Sequence, residues 1–506
     1  MTDENSYIEN VISKTNLKVA KLKNNKTFYS IYNPEREIDF FCNNEKIKNS
    51  GFICIAGIGN GYHLKKISEL YPEKFILAFE INQSSLNFLL SNNDFDFIKN
   101  SNIHLTTLND LEKKITEFYN PILYGDFYFT YFKNWLDYHK EYFSVIENKI
   151  NNSISNISAD ISTQSHFGKI WMHNILENIK LMYDCKINNN FEIDNSKIAA
   201  IIGAGPSLDE TILKLKYNTK KYFIISTDTA YPILCKNDII PDVVTSIDAQ
   251  IYSREHFIGI KNFKSSKTIF LLDLCCNTTI AKQLNPNQIL FFNSGHPLCN
   301  YFEKLSNIKF LKLNSGRGTV TTTAFNFALE CGFTNIELFG SDFCFYKNKP
   351  YAKTTYLEKQ FLNKSNFINN LETQYSNLMF RTITEKNSSG YSTSQLLNEY
   401  CLTQQKMIKT CEKNFFSAST NCNPMKLKIF TDEIIYNKQN IIKFNLNYID
   451  KNILKKYYQE IIKIKDIEKT PIFFTLLPFF AWGKQKKFDF FSTFNIAKNL
   501  IHNYTI

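Results

Sequence analysis

Seven apolar runs follow one another between Lys197 and Asp342, and each stops at a glycine, serine, asparagine or aspartate. They read "KIAAIIG", "YFIISTD", "DVVTSID", "KTIFLLD", "QILFFNS", "IKFLKLN" and "NIELFGSD". Segments of helical character lie between most of them. Short apolar runs that alternate with helices specify strands buried on both faces, the pattern of a mainly parallel sheet covered by helices on either side. The fold class expected is therefore α/β. A central, mostly parallel Rossmann-like sheet follows an N-terminal α/β domain and precedes a mainly helical C-terminal domain.

The first domain is expected over residues 1–160. There "SGFICIAGIGNGYHLKKISEL" reads as strand, glycine loop and helix, and "KFILAFEIN" as a second strand ending at Glu80. "IHLTTL" and "PILYGDFYF" suggest further strands. A helix with apolar spacing, "HFGKIWMHNILENIKLMYD", leads into a central domain over 161–425. Beyond about residue 355 the period lengthens to a helical one, around the polar stretch "EKNSSGYSTSQ". Residues 426–506 are expected to be mainly helical. Their aromatic run "PIFFTLLPFFAW" is too short to span a bilayer and carries Pro478, so a buried or partner-facing segment is expected.

Composition narrows the function classes. The chain has 506 residues, with 59 Lys+Arg against 48 Asp+Glu. Only Arg36, Arg254, Arg317 and Arg381 are arginines, and the lysines are spread along the chain. A solvated lysine-rich surface follows, not a nucleic-acid stripe. The 12 cysteines form no C-x-x-C, which argues against zinc and thioredoxin chemistry and for free thiols in a reducing cytoplasm. The opening "MTDENSYIEN" is acidic and polar, unlike a signal peptide. A cytoplasmic protein without stable membrane insertion is expected.

In open parallel sheets, ligands bind beyond the carboxyl ends of the strands. The seven run ends supply Gly203 to Ser207, Thr227 with Asp228, Asp248, Asp273, Asn293 to His296, Asn314 to Thr319, and Gly340 to Asp342. Seven polar tips in succession point to one shared site. The loop "GAGPSLD" lacks the third glycine of a dinucleotide fingerprint, which falls on Leu208, and the chain has no phosphate-loop lysine there. Ser207 and Glu210 form a capping-box pattern, and exposed amides at that helix start would suit a phosphate or carboxylate. "NSGRGTVTTT", with Ser315, Gly316, Arg317, Gly318 and Thr319, is a second anion candidate, although Arg317 could equally be a surface residue. The D-x-D pair Asp94 and Asp96 lies far from these tips, so no metal ligands are assigned and metal dependence stays open. Gly57, Gly59 and Gly61 with Glu80 superficially match a methyltransferase nucleoside site, against the favoured alternative of a degenerate Rossmann-like scaffold that helps bind an acceptor.

Together these motifs resemble the motility-associated factor (Maf) family of flagellin glycosyltransferases. The central domain of that family is related to 6-hydroxymethylpterin pyrophosphokinase-like proteins and to bacterial sialyltransferases. The likeness is carried by "FGKIWMHNILENI", "GAGPSLD", "STDTAYPIL", "IIPDVVTSIDAQ" and "GTVTTTAFNFALECGFTNIELFGSDFCF", and in the first domain by "GIGNGYHLKKISE". It implies a sialyltransferase-like central fold. It also implies transfer of a nonulosonic acid, of pseudaminic or legionaminic type, from its CMP donor to Ser or Thr of flagellin. The CMP-nonulosonate would be a substrate, with no tightly bound cofactor, and flagellin the protein partner. A homo-oligomer is left open.

The resemblance assigns roles as well. Tyr351, in "PYA", matches the second of two tyrosines that touch the donor phosphate in the sialyltransferases. The first falls on Cys344, with Tyr346 as a stand-in. No histidine lies between His296 and His502, so the sialyltransferase base cannot be carried over. Asp342 could orient a donor, act as base, or accept backbone amides at a strand end. Gly203, Gly205, Pro206, Ser207, Arg317 and Thr319 would face the phosphate, and Asp228 and Asp248, beside Thr227, the cytidine or ribose hydroxyls. The competing functions are a pterin pyrophosphokinase using ATP and a metal, and a non-catalytic flagellin chaperone or assembly factor.

Overall fold

"FICIA" is apolar at all five positions, and in the computed structural model every one of those side chains is buried. The structure describes residues 4–183, 191–258, 260, 267–306, 309–313, 319–430, 441–444, 449–464 and 470–505. The chain divides into two units, 1–166 and 167–506. In the first, β1 (Tyr7–Ile12) and β2 (Lys18–Leu22) form an antiparallel ribbon. β3 (Phe52–Ala56), β4 (Phe75–Glu80), β5 (Ile103–Thr107) and β6 (Phe127–Tyr131) form a parallel sheet in the order β5-β4-β3-β6. Of the expected strand "PILYGDFYF", only the second half is extended. Pro121–Tyr124 is a helical turn, capped by the Asn120 side chain, because proline at a first helical position favours a helix start.

Aromatic rings of the chain pack against the first glycine loop. Gly57 and Gly59 have positive φ, as the turn requires. A Cβ on Gly57 would lie 2.8 Å from both Phe28 and Trp135, and one on Gly59 would lie 2.5 Å from the Phe28 ring. Glu80, the candidate ribose acceptor, is fully buried and already engaged. Its Oε1 accepts the Ile58 amide at 2.7 Å and the Tyr7 hydroxyl at 2.9 Å, and its Oε2 accepts the Trp135 indole N–H at 2.8 Å. The nucleoside-site reading is corrected: the chain's own aromatic rings and donors fill the place. Replacing Glu80 by alanine strands three buried donors and is expected to destabilise the chain by about 3 kcal/mol or more in urea titrations. Glu80→Gln, which keeps an acceptor, should cost visibly less. Equal midpoints for the two variants would contradict this account.

In the second unit, β7 (Phe191–Asp194) pairs antiparallel with β19 (Ile441–Phe444). The seven expected strands are all present. They are β8 (Ile198–Ile202), β9 (Tyr222–Thr227), β10 (Val243–Ser246), β11 (Ile269–Asp273), β12 (Ile289–Asn293), β13 (Leu311–Lys312) and β14 (Asn335–Phe339). The polar stretch near residue 390 is not helical. It forms the ribbon β15 (Thr384–Lys386) and β16 (Ser392–Ser394). Two further strands, β17 (Asn414–Ser417) and β18 (Lys428–Ile429), extend the main sheet. They are too short for a run or an alternation to show in the sequence. The nine strands lie in the order β13-β12-β11-β10-β9-β8-β14-β17-β18, and every neighbouring pair is parallel.

Residues 426–506, expected as a separate helical domain, fall within this second unit. "PIFFTLLPFFAW" folds into Pro471–Phe474 and Leu477–Gln485, with Ile472, Phe473, Leu477, Phe479 and Phe480 buried. The sheet order positions the site. From β8 the chain steps outward through β9 to β13, then returns to place β14 on the other side of β8. That reversal sets the tips of β8 and β14 side by side at the topological switch point, where the connecting segments leave in opposite directions and a crevice opens.

Candidate functional site

The loop after β8 and the tip of β14 are locked together. The Gly203 amide donates to the Phe339 carbonyl at 2.8 Å, and the Gly205 amide to the Gly340 carbonyl at 2.7 Å. A Cβ on Gly205 would lie 2.6 Å from both Asp342 Oδ2 and the Gly340 carbonyl oxygen. Glycine is needed here to let backbone approach backbone and one internal carboxylate, which corrects the expectation of close approach to an external phosphate.

Ser207 shows the same inversion. It does not cap the helix Leu208–Tyr217, because its own backbone is already helical. Its amide donates to Asp342 Oδ2 at 2.8 Å and its hydroxyl to Asp342 Oδ1 at 2.5 Å. The expected partner Glu210 instead accepts from Lys347, Asn421 and Tyr346. The anion seated at this helix start is thus Asp342 itself, 135 positions away in sequence. Burial pushes its carboxyl up to about 6, against the two Ser207 bonds, which favour the charged form.

Above this floor opens a cleft of about 900 Å³. Gly205, Thr319, Asp342 and Tyr351 line it, so four of the residues expected at the site meet there. Thr319 also caps the helix Val320–Glu330, its hydroxyl accepting from the Thr322 amide at 3.0 Å. Gly203 and Pro206 are not among the lining residues, and Ser207 lines only a water-sized cavity on the far side of Asp342. Ser315, Gly316, Arg317 and Gly318 lie outside the described residues.

Thr227, Asp228 and Asp248 are not among the residues lining the cleft. The Thr227 hydroxyl accepts the Ala230 amide at 3.3 Å. Asp228 is 1% exposed and spends both oxygens internally, Oδ1 on the Thr229 amide and hydroxyl, Oδ2 on the Ser246 hydroxyl at 2.7 Å. Asp248 accepts the Gln250 amide at 2.9 Å, and burial raises its carboxyl. These bonds engage both Asp228 oxygens within the strand tips, whereas Asp248, half-buried, engages one oxygen in a local turn. The carbonyls beside them are held from the helix Phe143–Met182: Asn174 donates to Ala249 and Cys275, and Asn178 to Leu274 and Cys276, all at 2.9–3.0 Å. The motif "HNILENI" therefore acts as a pair of amide clamps one turn apart.

Sequence reasoning missed the roof. The segment between β14 and β17 folds over the tips and contributes Tyr356, Arg381, Glu385, Glu399 and Tyr400. Four non-glycine residues of the loop entering it, Phe343, Lys347, Asn348 and Thr354, adopt left-handed backbone, the strain that clusters at functional sites. Cys344 is buried and lines the cleft. Tyr346 does not line it. Its hydroxyl meets Glu210 at 3.3 Å, so it is no stand-in, and Tyr356 and Tyr400 are the phenols beside Tyr351. The one signal available was scarcity: Arg381 is one of four arginines.

Among the described residues, no group of three or more His, Cys, Asp or Glu side chains is placed to hold a metal, and no helix is long and apolar enough to cross a membrane. The eleven cysteines described are free thiols.

Residues 172–348 match the family model for 6-hydroxymethylpterin diphosphokinase MptE-like proteins. An uncharacterised protein of Treponema pallidum (strain Nichols) is 35% identical over 165 residues, 31% of this chain and 75% of that protein. A second from the same organism is 39% identical over 140 residues, 27% of this chain and 49% of that protein, so the match spans about half of its length. Among solved structures, the Maf glycosyltransferase from Magnetospirillum magneticum AMB-1 has the same fold, with a TM-score of 0.54 and 13% identity over 100% of this chain and 87% of that one.

Proposed function

For a chain that belongs to one family with the first Treponema pallidum relative and shares the fold of a Maf glycosyltransferase, we propose a glycosyltransferase that moves a nonulosonic acid from its CMP donor to Ser or Thr of flagellin. The observation that carries this is the cleft at the switch point between β8 and β14, of a size to take a nucleotide sugar, in a chain whose fold matches over its full length. The leaving group is a nucleotide monophosphate, already a good one. The work left to the protein is positioning, stabilisation of charge, and removal of the acceptor's proton.

Tyr351 and Thr319 are placed to meet the donor's phosphate. Asp342, on the cleft floor, receives the proton of the attacking hydroxyl. A carboxyl near 6 is mostly ionised at neutral pH yet basic enough for that task. Asp228 and Asp248 keep the neighbouring tips in shape. Reaction in the cytoplasm agrees with the free thiols.

The direct test is the intact mass of flagellin co-expressed with this protein and a nonulosonate pathway. Mass increments of one sugar per modified residue are expected, and an unchanged mass with donor present would overturn the proposal. The MptE-like match supports a second reading, pyrophosphoryl transfer from ATP to a pterin. Calorimetry separates the two: CMP binding supports the glycosyltransferase, and binding of ATP alone supports the kinase.

A further inference from the structure

We infer that Arg381 binds the anionic part of the donor, its phosphate or its sugar carboxylate. The inference rests on the CMP-nonulosonate reading and adds a residue that the family motifs do not contain. Arg381 follows the helix Leu371–Met379 and is exposed into the cleft. Among the described residues, the other charged side chains lining that cleft are Asp342, Glu385 and Glu399. Among the described side chains, an anionic ligand entering it therefore meets one guanidinium and three carboxyl groups.

None of the ion pairs among the described residues takes up that guanidinium. Glu210 is held by Lys347, Asp209 by Lys349, and Glu337 by Lys214. Arg381 and Tyr351 line the same cleft, and burial raises the Tyr351 phenol while the Arg381 charge favours its ionised form. Guanidinium donors form a fork that fits carboxylate or phosphate oxygens two at a time, and a lysine ammonium cannot reproduce it. The start of the helix Val320–Glu330 at Thr319 opens on the same cleft and adds the positive end of its dipole.

The test is calorimetry on the full chain with CMP, cytidine, a free nonulosonic acid and ATP, comparing wild type with Arg381→Gln and Arg381→Lys. Thermal melts establish that each variant is folded. Arg381→Gln is expected to weaken the anionic ligand by roughly tenfold to a hundredfold, with Arg381→Lys in between. Loss of the preference for CMP over cytidine identifies the phosphate as the bound group, and selective loss of the free acid identifies the carboxylate. If wild type binds ATP and not CMP, the CMP reading falls, and Arg381 must then be needed for ATP. Unchanged affinities in a folded Arg381→Gln protein, or no anion binding by wild type, would overturn the inference.

Discussion

Asp342→Asn should slow sugar transfer at pH 7.5 by about a hundredfold or more, the range in which removal of a general base is felt. Two effects combine. The amide cannot take the acceptor's proton, and its NH₂ end cannot accept from Ser207, whose amide and hydroxyl both point at this side chain. The second effect also costs stability, roughly 1–3 kcal/mol for a buried donor left unmade. The two are separable by pH. In wild type the rate is expected to rise as pH passes through about 6, where the Asp342 carboxyl loses its proton. In Asp342→Asn that limb should vanish from the residual activity. A residual rate that keeps the inflection would move the base elsewhere and leave Asp342 as the clasp of the glycine loop. Ser207→Ala sharpens the comparison. It removes one bond to Asp342 without removing the carboxylate, so it should shift the inflection upward and leave most of the activity.

Acid should unfold this protein early, and three buried histidines set where. His63 packs among Phe28, Phe41 and Phe132, with Nδ1 on the Tyr29 hydroxyl at 2.6 Å. His139 lies against Trp135, and His296 against Trp171. Burial lowers their pKa values from 6.5 to about 3, about 4 and about 3 respectively. A histidine held neutral in the folded chain contributes stability that is whole above its unfolded pKa of 6.5 and drains away as pH falls toward the folded value. Asp273 and Asp342 act in the opposite sense. Their carboxyls are raised to about 6, so folding binds their protons more tightly as pH falls below that point. Between pH 6.5 and 5 the histidines withdraw about 6 kcal/mol and the two aspartates return about 3, at roughly 1.4 kcal/mol per group and pH unit. Glu80, Asp242 and Asp248, also raised by burial, act in the same sense as these aspartates, so a net loss of at most roughly 3 kcal/mol is expected in denaturant titrations at pH 5 against pH 7. His63→Phe should flatten the net slope by about two-thirds, at roughly 2 kcal/mol for that histidine over the interval. Stability that increases on acidification would show that the carboxyls dominate.

How far the sequence reaches is set by which features are local. "KIAAIIG" and its six successors are strands because a run buried on both faces must be apolar throughout, and that is visible without knowing the neighbours. The neighbours themselves were not visible. Nothing in "NIELFGSD" says that it returns to lie beside β8, yet this decides what "GAGPSLD" does. Read locally, the loop's glycines and helix start suit a phosphate. In the fold, Asp342 from the returning strand already fills that role. Asp228 is a similar case, because its partners include Ser246 on the adjacent strand. Arg381 lies in a polar stretch after residue 355 with no local pattern to mark it. Only the folding of that segment over the tips gives it a place in the cleft.

The clasp between Ser207 and Asp342 also has a bearing on how the molecule is made. β8 can add β9 as soon as the next few dozen residues emerge, but its other flank waits for a strand that begins at Asn335. Pairings so far apart along the chain are slow to form and come late. A nascent polypeptide would carry a half-built sheet with one naked edge through much of its synthesis, and the cleft would be among the last parts to come into existence. Chains that stall or are cut before β14 should be recognisable by that bare edge, as clients for chaperones.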